Sequence, residues 1–128
     1  MEQKQTAGDA PAGAFDRASL WDRVNNDMEL LRDLLQIFRQ EYPGMLQKLG
    51  AAVEAGNGAD IAKYGHKVKG SALQFSAPRA AATAARIEKM GESGSLEGVQ
   101  EAFEQLKVDV AELVEGLRLM TQGTGTTP

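Results

Sequence analysis

The sequence predicts an all-α protein: an antiparallel up-down-up-down four-helix bundle with a short additional N-terminal helix. Three observations predict it. Apolar residues recur at spacings of three and four along most of the chain, which is the period of one helix face. No segment alternates apolar and polar residues in the manner of a half-buried strand. The stretches of Gly, Pro, Ser and Asn between the periodic segments are short, and short loops join helices that run in opposite directions.

Each element follows from its own residues. Residues 1–14, "MEQKQTAGDAPAGA", are small and polar and read as a flexible arm or linker. The bundle is expected over 15–120, and 121–128, "TQGTGTTP", as a flexible tail. Leu20, Trp21 and Val24 give a short first helix one apolar side. Asn26 is the expected cap of the next helix, with Glu29 as its capping-box partner. Leu31, Leu35, Phe38, Tyr42, Met45, Leu49 and Val53 then hold one face of a long helix, and Pro43 within it predicts a kink or brief break. Gly56 and Gly58 suit a stop and turn. Asn57 or Asp60 can cap the third main segment, expected at 60–75. Pro78 opens an alanine-rich helix over 78–90, whose small side chains let a neighbour approach closely. "GESGS" is the expected turn after it. Val99, Phe103, Leu106, Val110, Leu113, Leu117 and Met120 alternate steps of four and three, the seam of a bundle helix.

The composition narrows the function. The 128 residues suit one domain, and 42% are hydrophobic, enough for a packed core. Acids outnumber bases 18 to 14, which gives no general support for nucleic-acid binding. With no cysteine there is no disulfide and no thiolate metal site. No apolar run approaches the ~18–20 residues of a membrane span, and no signal-peptide pattern opens the chain. A cytoplasmic location is therefore expected. The Gly-rich phosphate loop of a nucleotide site is also missing.

One stretch carries chemistry. "YGHKVKGSALQF", residues 64–75, holds the only histidine, His66. At about 100° per residue from Ile61, Tyr64, Val68, Ala72 and Phe75 fall within about 60° and form the core stripe. His66 falls about 140° away and Gly70 about 180° away, towards solvent. Metal binding is disfavoured because there is no second His and no Cys. Ser71 lies on another face, which argues against a catalytic dyad. Neutral imidazole is a nucleophile near neutral pH. Lys69, one turn on, can offset the charge of a phosphoryl group. Gly70 sits alongside the ring, where a mid-helix glycine costs roughly 1 kcal/mol against alanine. Its missing side chain opens the ring to a bulky reactant.

"HKVKGSALQFSA" resembles the motif of the histidine-containing phosphotransfer (HPt) domain, His-x-x-Lys-Gly followed by small and apolar residues. His66, Lys69, Gly70 and Ser71 match it directly, Phe75 and Ala77 stand at its apolar and small positions, and the likeness extends over about 15–120. Where the family often has Asn and, two residues later, Gly, this chain has Gln74 and Ser76, and Leu73 is larger than usual. The resemblance implies that His66 carries a phosphoryl group between aspartates of receiver domains in a His–Asp relay. It implies that Lys69 gives electrostatic support, and that Glu88 on the following helix orients the imidazole. Gly70, Lys67, Lys63, Leu73 and Gln74 would then form the receiver-docking face. The implied partners are response-regulator receiver domains and a hybrid sensor histidine kinase, with Mg²⁺ on the receiver and no cofactor on this chain. The chain would be a monomeric carrier rather than an enzyme, either standing alone or as the cytoplasmic end of a membrane-anchored kinase. Two other readings are a helical adaptor whose histidine is never phosphorylated and a kinase dimerisation domain. The latter usually has an acid after the histidine and a proline soon afterwards, whereas here Lys67 follows and the next proline is Pro78.

Overall fold

A computed structural model describes residues 13–122. Five helices account for most of them: α1 Arg17–Arg23, α2 Met28–Ala55, α3 Gly58–Gln74, α4 Pro78–Ser93 and α5 Val99–Thr121. No strand occurs among the described residues. The expected arm and tail lie largely outside them. Of the arm, Ala14 is described and buried; of the tail, Thr121 ends α5.

Local chemistry sets the helix ends. Asp16 caps α1 by accepting from the Ser19 N–H at 3.0 Å. Asn26 does not cap α2 as expected. Asn25 and Asn26 both have φ of 56°, a left-handed turn that asparagine tolerates better than most residues. The cap is Asp27, which accepts from the Leu30 N–H at 3.1 Å. At Pro43 no break occurs, and α2 continues to Ala55. Pro43 and Arg39, whose carbonyl loses its helical partner, are both exposed, so water can serve that carbonyl. Gly56 ends α2 at φ of 66°, and Asn57 caps α3. Helix α3 therefore starts at Gly58, ahead of the expected 60. Pro78 takes the first turn of α4. That helix runs past Met90 to Ser93 because Gly91 packs against α3 instead of turning; Gly94, at φ of 74°, ends it.

Helix α2 packs on α3, α3 on α4, α4 on α5, and α5 closes back on α2. Leu31, Leu49, Ile61, Ile87, Leu106, Leu113 and Leu117 are fully buried between them, each worth about 1.5–3 kcal/mol of burial. All seven residues of the α5 seam are buried. The Phe38 and Phe75 rings meet at 5.1 Å between α2 and the end of α3. Leu20 and Val24 seat α1 in the same core. The Asp16 N–H donates to the Ser76 carbonyl at 2.8 Å, and the Ser19 and Ser76 hydroxyls pair at 2.9 Å. These bonds tie α1 to the α3–α4 turn.

One buried carboxyl group pins α4 to α5. Asp109 is 2% exposed. It accepts from the Thr83 hydroxyl at 2.8 Å and from Gln105 Nε2 at 2.8 Å, with Arg79 Nε at 3.6 Å. A carboxylate so partnered avoids the desolvation penalty of an orphaned one.

Candidate functional site

The site begins with missing side chains. Along the α3–α4 seam, a Cβ on Gly91 would lie 2.5 Å from the Ala62 nitrogen and 2.6 Å from the Gly58 oxygen. A Cβ on Gly58 would lie 2.8 Å from the Gly91 oxygen. Gly65 faces the backbone of Glu88 in the same way. The two helices therefore run nearly backbone to backbone, and residues opposite one another on their rims can touch.

His66 and Glu88 are such a pair. His66 Nδ1 lies 2.9 Å from Glu88 Oε2. The other carboxylate oxygen, Oε1, accepts from Lys69 Nζ at 2.7 Å. One carboxylate thus bridges the imidazole and the ammonium, using both oxygens. The His66 side chain is 66% exposed, against 14% for Glu88 and 29% for Lys69. The ring is offered to solvent while the groups that hold it are shielded. The hydrogen bond from Lys69, assisted by the one from His66, holds the Glu88 carboxyl below its ordinary value despite the opposing effect of burial. An ionised Glu88 can only accept, so Nδ1 carries the proton between the two residues. Whenever the ring is neutral, its lone pair then lies on Nε2.

The remaining sequence-predicted residues spread around this group. A Cβ on Gly70 would meet nothing within 4 Å. Lys63, Lys67 and Gln74 are exposed, and Leu73 is 51% exposed. Lys63 Nζ lies 5.2 Å from the centre of the Tyr64 ring, and Lys48 of α2 lies 5.9 Å from it. Among the described residues, no group of three or more His, Cys, Asp or Glu side chains is placed to hold a metal ion. No helix among them is long and apolar enough to cross a membrane. Two features escaped the sequence reading: the Lys69–Glu88 ion pair and the close approach at Gly65. The second had a signal, since Gly65 is another mid-helix glycine, on the side of α3 opposite Gly70.

A small helical bundle that presents one anchored imidazole at its surface has the form of a carrier module. The family model of the Hpt domain matches residues 33–116, well over half of the chain, and the protein belongs to that family. Hpt domains are phosphocarriers that take part in histidine phosphotransfer with the receiver domains and kinases of two-component phosphorelays. The match runs from α2 into α5 and leaves α1 outside. No curated protein and no solved structure matches the chain.

Proposed function

We propose that His66 accepts a phosphoryl group from the aspartyl phosphate of one receiver domain and passes it to the aspartate of another. The observation that carries this is the exposed ring whose inner nitrogen is held by Glu88 at 2.9 Å. In the first transfer Nε2 supplies its lone pair to phosphorus. The bond from phosphorus to the receiver carboxylate breaks, and that carboxylate leaves with the electron pair. The proton on Nδ1 stays, bonded to Glu88, so the phosphorylated ring is cationic and its positive charge faces an anion. In the second transfer a carboxylate oxygen of the second receiver's aspartate supplies a lone pair to phosphorus. The Nε2–P bond breaks with its pair returning to Nε2, and a neutral imidazole is released. No proton need enter or leave in either direction, which suits a reversible carrier.

Lys69 supports this chemistry through Glu88, whose second oxygen it holds, and through its positive charge one turn from the reacting nitrogen. Gly70 leaves the approach to Nε2 open, and Lys63, Lys67, Leu73 and Gln74 border the face on which a receiver would dock. The Mg²⁺ of the reaction belongs to the receiver in this reading. The bundle itself is proposed to be up-down-up-down. Pairs across each seam support it: Phe38 with Phe75 and Lys48 with Tyr64, Gly58 with Gly91 and His66 with Glu88. Arg79 with Glu112 and Thr83 with Asp109 do so between α4 and α5, as do Arg32 with Thr121 and Gly50 with Phe103 between α2 and α5. In each seam residue numbers rise on one helix as they fall on the other.

Incubation with a phosphorylated receiver tests the proposal. The protein should gain an acid-labile, base-stable phosphate. His66→Gln should gain none while keeping its helical melt, because the ring lies outside the core. A phosphorylated His66→Gln would sink the assignment, and a wild-type protein that takes up no phosphate would favour the adaptor reading.

A further inference from the structure

We infer that Gly65 is a positioning residue for the imidazole: its missing side chain lets α4 close on α3 at Glu88 and so sets the reach from Glu88 to His66 Nδ1. The inference rests on the reading of His66 as phospho-acceptor. A Cβ on Gly65 would lie 3.1 Å from the Glu88 nitrogen, 3.3 Å from the Glu88 Cα and 3.4 Å from the Ala84 oxygen. All three are backbone atoms of α4, which cannot swing aside as the end of a side chain can. Any side chain here must push α4 outward, and the residue pushed is the one that holds the ring.

The geometry leaves little slack. Gly65 is buried and immediately precedes His66, so the helix spacing at its level is the spacing that His66 and Glu88 share. Their contact is 2.9 Å, and such bonds weaken beyond about 3.2 Å. A displacement of a few tenths of an ångström therefore spends the margin. It also draws Glu88 away from Lys69, whose Nζ stands 2.7 Å off. The glycines at 58 and 91 bring the same helices together at the other end of the seam. Gly50, where a Cβ would lie 2.9 Å from the Phe103 ring on the α2–α5 side, serves as a control for overpacking away from the α3–α4 seam.

The test is a mutant cycle through Glu88. Transfer from a phosphorylated receiver is timed for wild type, Gly65→Ala, Gly65→Val, Glu88→Ala, the two doubles and Gly50→Ala, with the melt of each recorded. Since an ångström of misplacement can cost about a hundredfold, Gly65→Ala should slow transfer about threefold and Gly65→Val about tenfold or more. In the Glu88→Ala background both should add nothing, because their route to the ring is already gone. Gly50→Ala should transfer at close to the wild-type rate while it remains folded. The Nδ1–H resonance of His66 in ¹⁵N-labelled protein should weaken in the Gly65 variants and not in Gly50→Ala. If Gly65→Val does not fold, the Gly65→Ala cycle and its Nδ1–H signal decide the matter. Equal losses with and without Glu88, or an unchanged Nδ1–H signal in Gly65→Ala, would overturn the inference. A wild-type protein that takes no phosphate would overturn the His66 reading, and the Nδ1–H signal would still decide whether Gly65 sets this hydrogen bond.

Discussion

Helix α3 carries glycine on two opposite faces, and the two faces use it for opposite ends. On the α4 side, Gly58 and Gly65 meet backbone at 2.8 and 3.1 Å from where a Cβ would be. On the outer side, the same imagined atom at Gly70 meets nothing within 4 Å. In the proposed reading, Gly65 brings a carboxylate to the ring and Gly70 keeps a path to it clear. A glycine in a helix interior weakens the helix either way. The difference lies in what is recovered, which is close packing at the seam and access at the surface.

The sharpest way to break the seam is Gly91→Ala. The added methyl is confronted by Ala62 and Gly58 backbone at 2.5–2.6 Å. Overpacking of this kind costs about 1–3 kcal/mol, and urea or thermal unfolding should read that loss. The outer face should answer with the opposite sign. Gly70→Gln replaces an exposed mid-helix glycine and should raise stability by up to ~1 kcal/mol. In the same variant receiver transfer should fall sharply, since the new side chain stands beside the ring. A destabilised Gly70→Gln with normal transfer would reverse the assignment of the two faces.

A smaller effect concerns acid. Glu88 titrates below its ordinary value, chiefly because Lys69 bonds to its ionised form. A carboxyl lowered in the folded state adds stability that is fully present above its unfolded value and is lost as pH falls through the lower folded one. The melting-temperature advantage of wild type over Glu88→Gln should therefore hold at pH 6 and shrink below about pH 4.3. A difference that does not vary with pH would mean that the carboxylate contributes nothing through its charge. The smallest effect is at the turn after α3. Ser76 has φ of 54°, where a Cβ is strained. Ser76→Gly should be more stable than Ser76→Ala by about 1 kcal/mol, because both lose the bond to Ser19 and only one keeps the strain.

Much of the fold was legible because single-helix periodicity carries it. Ile61, Val68, Ala72 and Phe75 lie buried, and His66 and Gly70 lie exposed, as a wheel drawn on α3 places them. What a wheel cannot give is the neighbour. Lys69 sits at the edge of its helix, and only the closeness of α4 turns it towards Glu88 instead of solvent. Asp109 reads as a polar residue between Leu106 and Val110, yet it is buried, because Thr83 and Gln105 are there to satisfy it. The cap of α2 was misplaced by one residue, since an Asn-Asn-Asp run offers three side chains that can cap. Which of them does is decided by the left-handed turn that joins α1 to α2. The position of Ser76 where the family often has glycine becomes intelligible only with its φ, which glycine would adopt without strain.

The most direct test of the account is to locate the phosphorus on the ring. Wild-type protein labelled with ¹⁵N-histidine is phosphorylated by a phosphorylated receiver, and the ¹⁵N couplings of the single imidazole are recorded. The account predicts phosphorus on Nε2 of His66 with the proton retained on Nδ1. Phosphorus on Nδ1, or on any residue other than His66, would contradict it.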